Sequence, residues 1–248
     1  MEELEHSLFI VEFVNKIIGK PLALLLSSFG IEVKDPSHFI PDHIVMSLIV
    51  AVFMIVFFGL AARKIKLYPS KLQVVLELVI ETFESLLVEV IGEEGKKYLP
   101  LIATIGIFIF ICNIMGLIPG FMSPTSKLNV TVGCALVVFF YYHWQGIKSQ
   151  GFFKYLKHFT GPVPLLAPLM IPIEIISHFS RPVSLSIRLF GNIFAEELLI
   201  IVIISIIPFF LPLPFMAIAI FTAVIQAFVF VLLSCIYIAG AVAHEQGN

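Results

Sequence analysis

The sequence predicts an all-α protein that crosses a lipid membrane about five times. Two observations are compositional: 59% of its 248 residues are hydrophobic, and only 13% are Asp, Glu, Lys or Arg. A soluble domain carries about 25% of these charged residues, and a water-soluble chain of this length has no core that could bury so much apolar surface. The third observation is that the apolar residues form stretches of the length that a membrane helix needs, about 20 residues.

The predicted spans follow from these stretches. Four stretches contain no Asp, Glu, Lys or Arg: 43–62, 98–126, 128–147 and 198–243. Prolines close the second stretch and interrupt the fourth. A further apolar segment, 164–207, contains charges, and as one helix it would be about 60 Å long. That is twice the hydrocarbon thickness, so it lies steeply tilted or nearly flat in the membrane, or it is broken. We predict spans at 42–63, 98–119, 127–147, 164–207 and 213–243, in one membrane domain over 42–248.

The connecting loops predict the orientation. Lys and Arg of short loops collect on the cytoplasmic side, and here they are concentrated in the connections 63–97 and 148–157. This puts the N-terminus outside and the C-terminus in the cytoplasm. The segment 1–41 begins without the positive region of a cleaved signal, so we expect no processing. Within it, residues 8–26 are moderately apolar but charged, which favours an interfacial helix.

A different helix is predicted over residues 70–91. Hydrophobic side chains recur there at steps of three and four residues, with glutamates between them, as is typical of an amphipathic helix. We expect it on the cytoplasmic membrane face or against other chains.

Several function classes are excluded. The formal charge of −2 gives no electrostatic case for nucleic-acid binding. Cys112, Cys134 and Cys235 lie singly in apolar runs, which indicates neither a metal site nor a disulfide framework. No GxSxG, HExxH or phosphate-binding loop is present. We therefore expect no cofactor, no metal and no catalysis by the chain alone.

The segment 174–197 places charges where a membrane helix normally has none. A charge at mid-membrane costs at least about 2.5–3.5 kcal/mol, so a functional site is the default interpretation. Arg181 lies nearer the cytoplasmic start, and it either reaches the surface along its flexible stem or has a function. Arg188 lies near the middle of the segment.

One face of this segment is polar or small along its length. At about 100° per residue, seven residues fall within roughly 60° of one another: Glu174, Ser177, Arg181, Ser184, Arg188, Asn192 and Ala195. Such a stripe is typical of a helix that packs against protein or borders water. The guanidinium of Arg188 needs a carboxylate partner in a membrane. However, Glu197 points to the opposite side of the helix, and Glu196 lies about 80° away from Arg188 around the helix axis. We expect the carboxylate to come from another subunit.

The two ends of the segment predict two separate proton or ion paths. Glu174 lies toward the cytoplasmic end and Glu197 toward the outer end, on different faces, with Arg188 between them. An arginine suits the barrier between two paths, because it stays charged and cannot relay a proton.

Polar residues in other apolar helices extend this hypothesis. Gln226 is available near the arginine, and Asn113 and Asn129 are candidates to line the outer path; the alternative for all three is hydrogen bonding between helices. We interpret His143 and His178 as interfacial or packing histidines.

Two motifs resemble those of subunit a of the F-type ATP synthase membrane sector. The run from Arg181 to Asn192, Arg-Pro-Val-Ser-Leu-Ser-Ile-Arg-Leu-Phe-Gly-Asn, resembles the family signature, and Ile225-Gln226-Ala227-Phe228-Val229-Phe230 resembles its last-helix motif. Asn113-Ile114-Met115-Gly116-Leu117-Ile118-Pro119 and Leu128-Asn129-Val130-Thr131 agree as well. The resemblance covers nearly the whole chain from about residue 40 onward and is to bacterial forms.

The resemblance implies a stator subunit in a bacterial inner membrane, with a long, tilted helix pair beside a rotating ring of c subunits. Two offset half-channels load and unload the ring carboxylates, and the other implied partners are the b-subunit peripheral stalk and further ATP synthase subunits. The resemblance implies that Arg188 faces the ring carboxylate and that Asn192 and Gln226 are its neighbours. It implies that Glu197 lines the outer half-channel and that Glu174 belongs to the cytoplasmic half-channel.

One position departs from the family pattern. Some members carry a histidine where this chain has Ala219, and a small residue is common where it has Glu196. Our hypothesis is that Glu196 serves the outer path in place of that histidine. The alternative function is a stand-alone ion-coupled secondary transporter, which usually shows internal repeats; the sequence contains none.

Overall fold

The structure, a computed structural model, describes residues 40–63, 65–66, 68–118, 121–158, 167–207 and 212–242, together with Val11, residues 14–19 and Pro21. All regular elements in these ranges are helical. The α-helices are α1 (Asp42–Arg63), α2 (Lys71–Ile91), α3 (Leu99–Met115), α4 (Leu128–Gln150), α5 (Phe152–His158), α6 (Ala167–Ile206) and α7 (Pro212–Val242). Short 3₁₀-helices precede α3 at Glu93–Tyr98 and α4 at Pro124–Ser126.

Among the residues described, five helices are long and apolar enough to cross a membrane: Asp42–Arg63, Glu93–Met115, Leu128–Gln150, Pro168–Ile206 and Pro212–Val242. The prediction of an all-α, multi-pass membrane protein with about five membrane helices is confirmed.

The predicted amphipathic helix is α2. It begins after Ser70, whose hydroxyl accepts a hydrogen bond from the backbone N–H of Gln73, and it ends at Gly92, which adopts a φ of 95°. A positive φ is costly for residues with a side chain, so glycine suits this end. The C-terminal half of α2 packs Leu87 into the core of the chain, while apolar residues of its first half, such as Val75, remain exposed.

The main core lies where α3, α4, α6 and α7 meet, with Ile109, Tyr142, Leu189 and Ile238 buried in one cluster. The crossing of α3 and α7 is close at Gly106, because a Cβ there would lie 2.7 Å from Cγ2 of Val231. Small residues allow membrane helices to approach in this way.

The charged apolar segment forms one unbroken helix, α6, of 40 residues. At 1.5 Å per residue it is about 60 Å long. Because the helix is continuous, the broken helix is excluded from the geometries that we predicted. Pro172 and Pro182 lie inside the helix, and each proline lacks the backbone N–H that would donate within it. The carbonyl of Pro182 accepts a hydrogen bond from the Ser186 hydroxyl at 2.6 Å. With α7, 31 residues long, it forms the predicted long helix pair.

Most of the N-terminal segment 1–41, and with it most of the interfacial helix expected over 8–26, lies outside the described residues. Of this segment, Val11 packs against Val45 and Met46 of α1. The side-chain amide of Asn15 donates to the carbonyl of Ile40 and accepts from its N–H, both at 3.0 Å. These contacts attach the N-terminal segment to the first membrane helix.

Candidate functional site

A cavity of about 290 Å³ opens beside the C-terminal half of α6. It is closed on the other side by the end of α3 and by the connection that leads to α4. We call it the carboxylate cavity because Glu196 and Glu197 line it. Asn113, Gly116 and Ser123 are also part of the lining. The rest of the lining is apolar and includes Ile193, Ile200 and Met216.

Glu197 is anchored in this cavity by the connection between α3 and α4. Its Oε1 accepts a hydrogen bond from the backbone N–H of Ser123 at 3.1 Å. The Ser123 hydroxyl donates to the carbonyl of Cys112 at 3.0 Å, and Thr125 donates to Oδ1 of Asn113 at 2.6 Å. Gly116 is needed here, because a Cβ would lie 2.6 Å from that of Ser123. The connection is thus a buried hydrogen-bonded wall of the cavity.

Two polar atoms near this wall have no partner among the residues that the structure describes. They are Oε2 of Glu196 and Nδ2 of Asn113, both buried. A buried polar group without a hydrogen bond is costly, and a water molecule occupies about 30 Å³. The cavity is therefore large enough for several waters, which such atoms would bind.

Arg188 lies on another face of α6, away from the core. Ser184, Asn192 and Ala195 are exposed on the same face, whereas Ser186 on the opposite face is buried. Within the described ranges, the Arg188 guanidinium takes part in neither a hydrogen bond nor an ion pair. No carboxylate of the described residues therefore neutralises this cation.

The remaining candidates are distributed over two other helices. Gln226 is half-buried on α7, next to Ala227, which packs in the same cluster as Leu189 of α6. Asn129 is exposed at the start of α4 and lies along an apolar groove with residues of α1 and α3, such as Met54. The structure does not bring Asn129 to the carboxylate cavity.

Toward its N-terminus α6 carries a second group of polar side chains. Nε2 of His178 lies 3.3 Å from Oε1 of Glu174, and its Nδ1 lies 3.1 Å from the Tyr142 hydroxyl of α4. We call Glu174, His178 and Tyr142 the histidine cluster. Beside it, Nδ1 of His143 lies 3.3 Å from the hydroxyl of Tyr155 on α5. Burial raises the pKa of Tyr155, so this phenol stays neutral near pH 7.

Arg181 is part of the same region. Its guanidinium lies 5.9 Å from the ring centre of Tyr142 and 5.3 Å from that of Tyr237 on α7. Cation–π contacts of this kind contribute about 0.5–2 kcal/mol. Both interpretations of Arg181, escape toward the surface and a function, stay predictions.

Sequence reasoning missed two features of the site. One is the set of hydroxyls, Ser123 and Thr125, that builds the wall behind Glu197; its signal is a polar run, Ser-Pro-Thr-Ser, between two apolar spans. The other is the hydrogen bonding of His143 and His178. Its signal is the i, i+4 spacing of Glu174 and His178, which places the two on one helical face.

Comparison with known proteins identifies the family of the chain. The family described as ATP synthase A chain matches residues 44–239. ATP synthase subunit a of Sulfurihydrogenibium sp. (strain YO3AOP1) is 46% identical over 205 residues, which are 83% of this chain and 99% of that protein. The subunit a of Campylobacter curvus (strain 525.92) is 50% identical over 200 residues, 80% of this chain and 89% of that protein. That of Helicobacter pylori (strain Shi470) is 50% identical over 190 residues, 76% and 84% of the two chains. The chain belongs to the ATP synthase subunit a family.

Proposed function

We propose that this chain forms two offset half-channels that load and unload the carboxylates of a c-subunit ring, and so couple ion flow to rotation and ATP synthesis. As a member of its family it is an ion-translocating stator subunit of the membrane sector, works with other ATP synthase subunits and is not catalytic alone. The observation that carries the proposal is Arg188, a cation on the exposed face of a membrane helix with no partner in the described part of its own chain.

The surroundings of Arg188 suit the approach of a neighbouring helix. Ser184 and Ala195 are exposed on its face, and a Cβ built on Gly191 would meet no atom within 4 Å. Small side chains let the backbone of a partner come close. A ring helix that passes here would bring its carboxylate to the guanidinium, with which it can form a bidentate pair.

The carboxylate cavity supports the outer half-channel. Glu197 is anchored at its wall, and the unpartnered Oε2 of Glu196 adds a second carboxylate to the same space. Two acids with room for water between them can pass a proton by general acid–base exchange. Asn113 would line the same path, as would Asn192 and Gln226 nearer the arginine.

Glu174 supports the inner half-channel. Its side chain is 33% exposed, at the opposite end of α6 from Glu197. Because the two acids are at different ends and Arg188 lies between them, each path ends at the ring face without meeting the other.

A turnover then follows from electrostatics. A protonated ring carboxylate that reaches Arg188 is favoured to ionise by the adjacent cation, and it releases its proton into one path. After further rotation it is protonated again from the other path, and as a neutral acid it can face lipid. A potential across the membrane makes the rotation directional, since it is worth about 2.3 kcal/mol per charge per 100 mV.

The proposed orientation has the N-terminus in the periplasm and the C-terminus in the cytoplasm of a bacterial inner membrane, and the Lys and Arg residues of the loops 63–97 and 148–157 support it. The peripheral b subunits would hold the chain against the turning ring. Amphipathic α2, with its exposed apolar residues such as Val75, lies on the cytoplasmic face in this arrangement.

Cysteine crosslinking in the assembled complex tests the ring face. In a background without the native cysteines, Ser184→Cys, Asn192→Cys and Ala195→Cys should each form a disulfide with a cysteine placed on a ring helix. Ser186→Cys is the matched control, because Ser186 is buried on the opposite face. Crosslinking at residue 186 but not at residues 184 and 192 would overturn the proposal.

A further inference from the structure

The histidine cluster joins a partly exposed acid to buried groups of two other helices. The side chain of His178 is 7% exposed, while that of Glu174 is 33% exposed. The two ring nitrogens of His178 face different groups: Nε2 lies 3.3 Å from the Glu174 carboxylate, within ion-pair distance, and Nδ1 is hydrogen-bonded to the Tyr142 hydroxyl at 3.1 Å. A lone packing histidine would not need partners of opposite chemistry on its two nitrogens.

The chemistry of the imidazole gives this cluster two states. A neutral ring has one donor and one acceptor nitrogen, so it can donate to the Glu174 carboxylate and accept from the Tyr142 hydroxyl. A protonated ring donates from both nitrogens and forms an ion pair with the carboxylate. In the first state Glu174 can gain and lose a proton, whereas in the second the pair opposes protonation of Glu174.

We propose that His178 is a positioning residue for Glu174: oriented by Tyr142, it sets the protonation of that acid and so makes the inner path sensitive to cytoplasmic pH. This rests on the proposed function, in which Glu174 belongs to the inner half-channel. Histidine suits the role because its ordinary titration lies between pH 5 and 8. Protonation of His178 slows exchange at Glu174, so proton flow through the inner path falls as the cytoplasmic side becomes more acidic.

The groups that face His178 have opposing effects on its charge. Glu174 favours the protonated ring, and the Arg181 cation, stacked over Tyr142, opposes it. His143 of α4 lies 5.1 Å away between ring centres. Further titratable side chains near the region, on α5 and α7, are the phenols of Tyr155 and Tyr237. The acid that contacts the ring, Glu174, is the acid that the proposed proton path uses.

The experiment uses the whole ATP synthase in inverted membrane vesicles, whose cytoplasmic side faces the medium. ATP-driven proton uptake is measured from pH 5 to 8 for wild type and for His178→Gln. Glutamine keeps an N–H donor but carries no charge at any pH. Each variant rate is divided by the wild-type rate at the same pH, which removes the pH dependence of ATP hydrolysis itself.

We expect this ratio to be near one at pH 8 and to rise as the medium is acidified, because only the wild type acquires the inhibiting charge. His143→Gln is the matched control: it removes a neighbouring histidine that bonds Tyr155, and its ratio should not change with pH. Tyr142→Phe keeps the ring under Arg181 and removes the hydroxyl oxygen that accepts from the protonated imidazole. The charged state of His178 is then less favourable, so the ratio should change with pH in the same direction. A constant ratio for His178→Gln overturns the proposal, and if that variant does not assemble, Tyr142→Phe decides in the same way.

Glu174→Gln separates this inference from the proposed function. If it leaves proton uptake unchanged at every pH, Glu174 is not in the inner path and that part of the proposed function fails. If it lowers uptake while the His178→Gln ratio stays constant, only the role of His178 fails. Both are supported if Glu174→Gln lowers uptake and abolishes the pH-dependent effect of His178→Gln.

Discussion

The carboxylate of Glu197 accepts a hydrogen bond from the backbone N–H of Ser123 at 3.1 Å, although 74 residues separate the two along the chain. This bond uses an acid of α6 to fasten the connection between α3 and α4. It also directs the carboxylate into the cavity and away from the face that carries Arg188. The acid and the cation are therefore not an internal ion pair, and each is available for a different step.

The arginine variants give the most direct prediction. Arg188→Ala should abolish coupled ATP synthesis, because no cation remains to attract the ring carboxylate, and it should allow passive proton leak between the half-channels. Arg188→Lys should also fail, since an ammonium lacks the planar fork of donors and loses its charge more readily when desolvated. Synthesis and leak are both measured in membrane vesicles, and ATP-driven pumping at the wild-type rate in Arg188→Lys would contradict the mechanism.

Glu196 should contribute to the outer path. Glu196→Gln removes the carboxylate whose Oε2 is buried without a described partner, so we expect proton-driven ATP synthesis to fall, by about tenfold or more if the residue exchanges protons. Glu197→Gln should have an effect of at least the same size. Unchanged synthesis in Glu196→Gln would show that this carboxylate does not stand in for the histidine that some relatives have where this chain carries Ala219.

Gly116 should be required for the shape of the cavity wall. In Gly116→Ala the new Cβ would lie 2.6 Å from the Cβ of Ser123 and 3.2 Å from Oε1 of Glu197, so the wall must shift. Overpacking of this kind costs about 1–3 kcal/mol, and we expect lower ATP synthesis together with a lower melting temperature of the purified complex.

Gly133→Ala is the matched control for that substitution, because a Cβ at Gly133 would meet no atom within 4 Å. It should leave both synthesis and melting temperature close to wild type. Equal behaviour of the two alanine variants would argue against a tight wall at Gly116.

The rings under Arg181 should stabilise the helix bundle. Tyr237→Leu removes one of the two aromatic faces that contact the guanidinium, and we expect a loss of about 0.5–2 kcal/mol, seen as earlier thermal dissociation of the complex. Tyr237→Phe keeps the face and should behave like wild type. If Tyr237→Phe were as unstable as Tyr237→Leu, the hydroxyl rather than the ring would be the stabilising group.

Most of the fold could be predicted because the bilayer imposes its thickness on the chain. The first membrane helix, predicted at 42–63, is Asp42–Arg63, and the amphipathic helix predicted at 70–91 is Lys71–Ile91. For α6 the sequence left three geometries open, of which the unbroken helix excludes one, the broken helix; Pro182 alone does not tell whether a helix bends, breaks or continues.

The site was less predictable because its groups come from separate parts of the chain. That Arg188 has no carboxylate partner on its own helix could be predicted from its angular position, because this needs only the sequence of that helix. The bonds of Ser123 to Glu197 and of Tyr142 to His178 depend on how distant segments pack, and no periodicity within one helix reveals them. Asn129 shows the converse: its position near the end of a span suggested the outer path, but its side chain faces the groove beside α1.

The continuity of α6 has a mechanical consequence. Near one end the helix is fastened to the rest of the bundle through Tyr142, and near the other through Ser123, while the guanidinium lies between these two supports on the free side. Between them, the side of the helix away from the guanidinium packs into the main core through Leu185, Leu189 and Ile193. In the proposed mechanism, a force on residue 188 is therefore spread along the whole helix, and the spacing between Glu174 and Glu197 is kept while the ring turns.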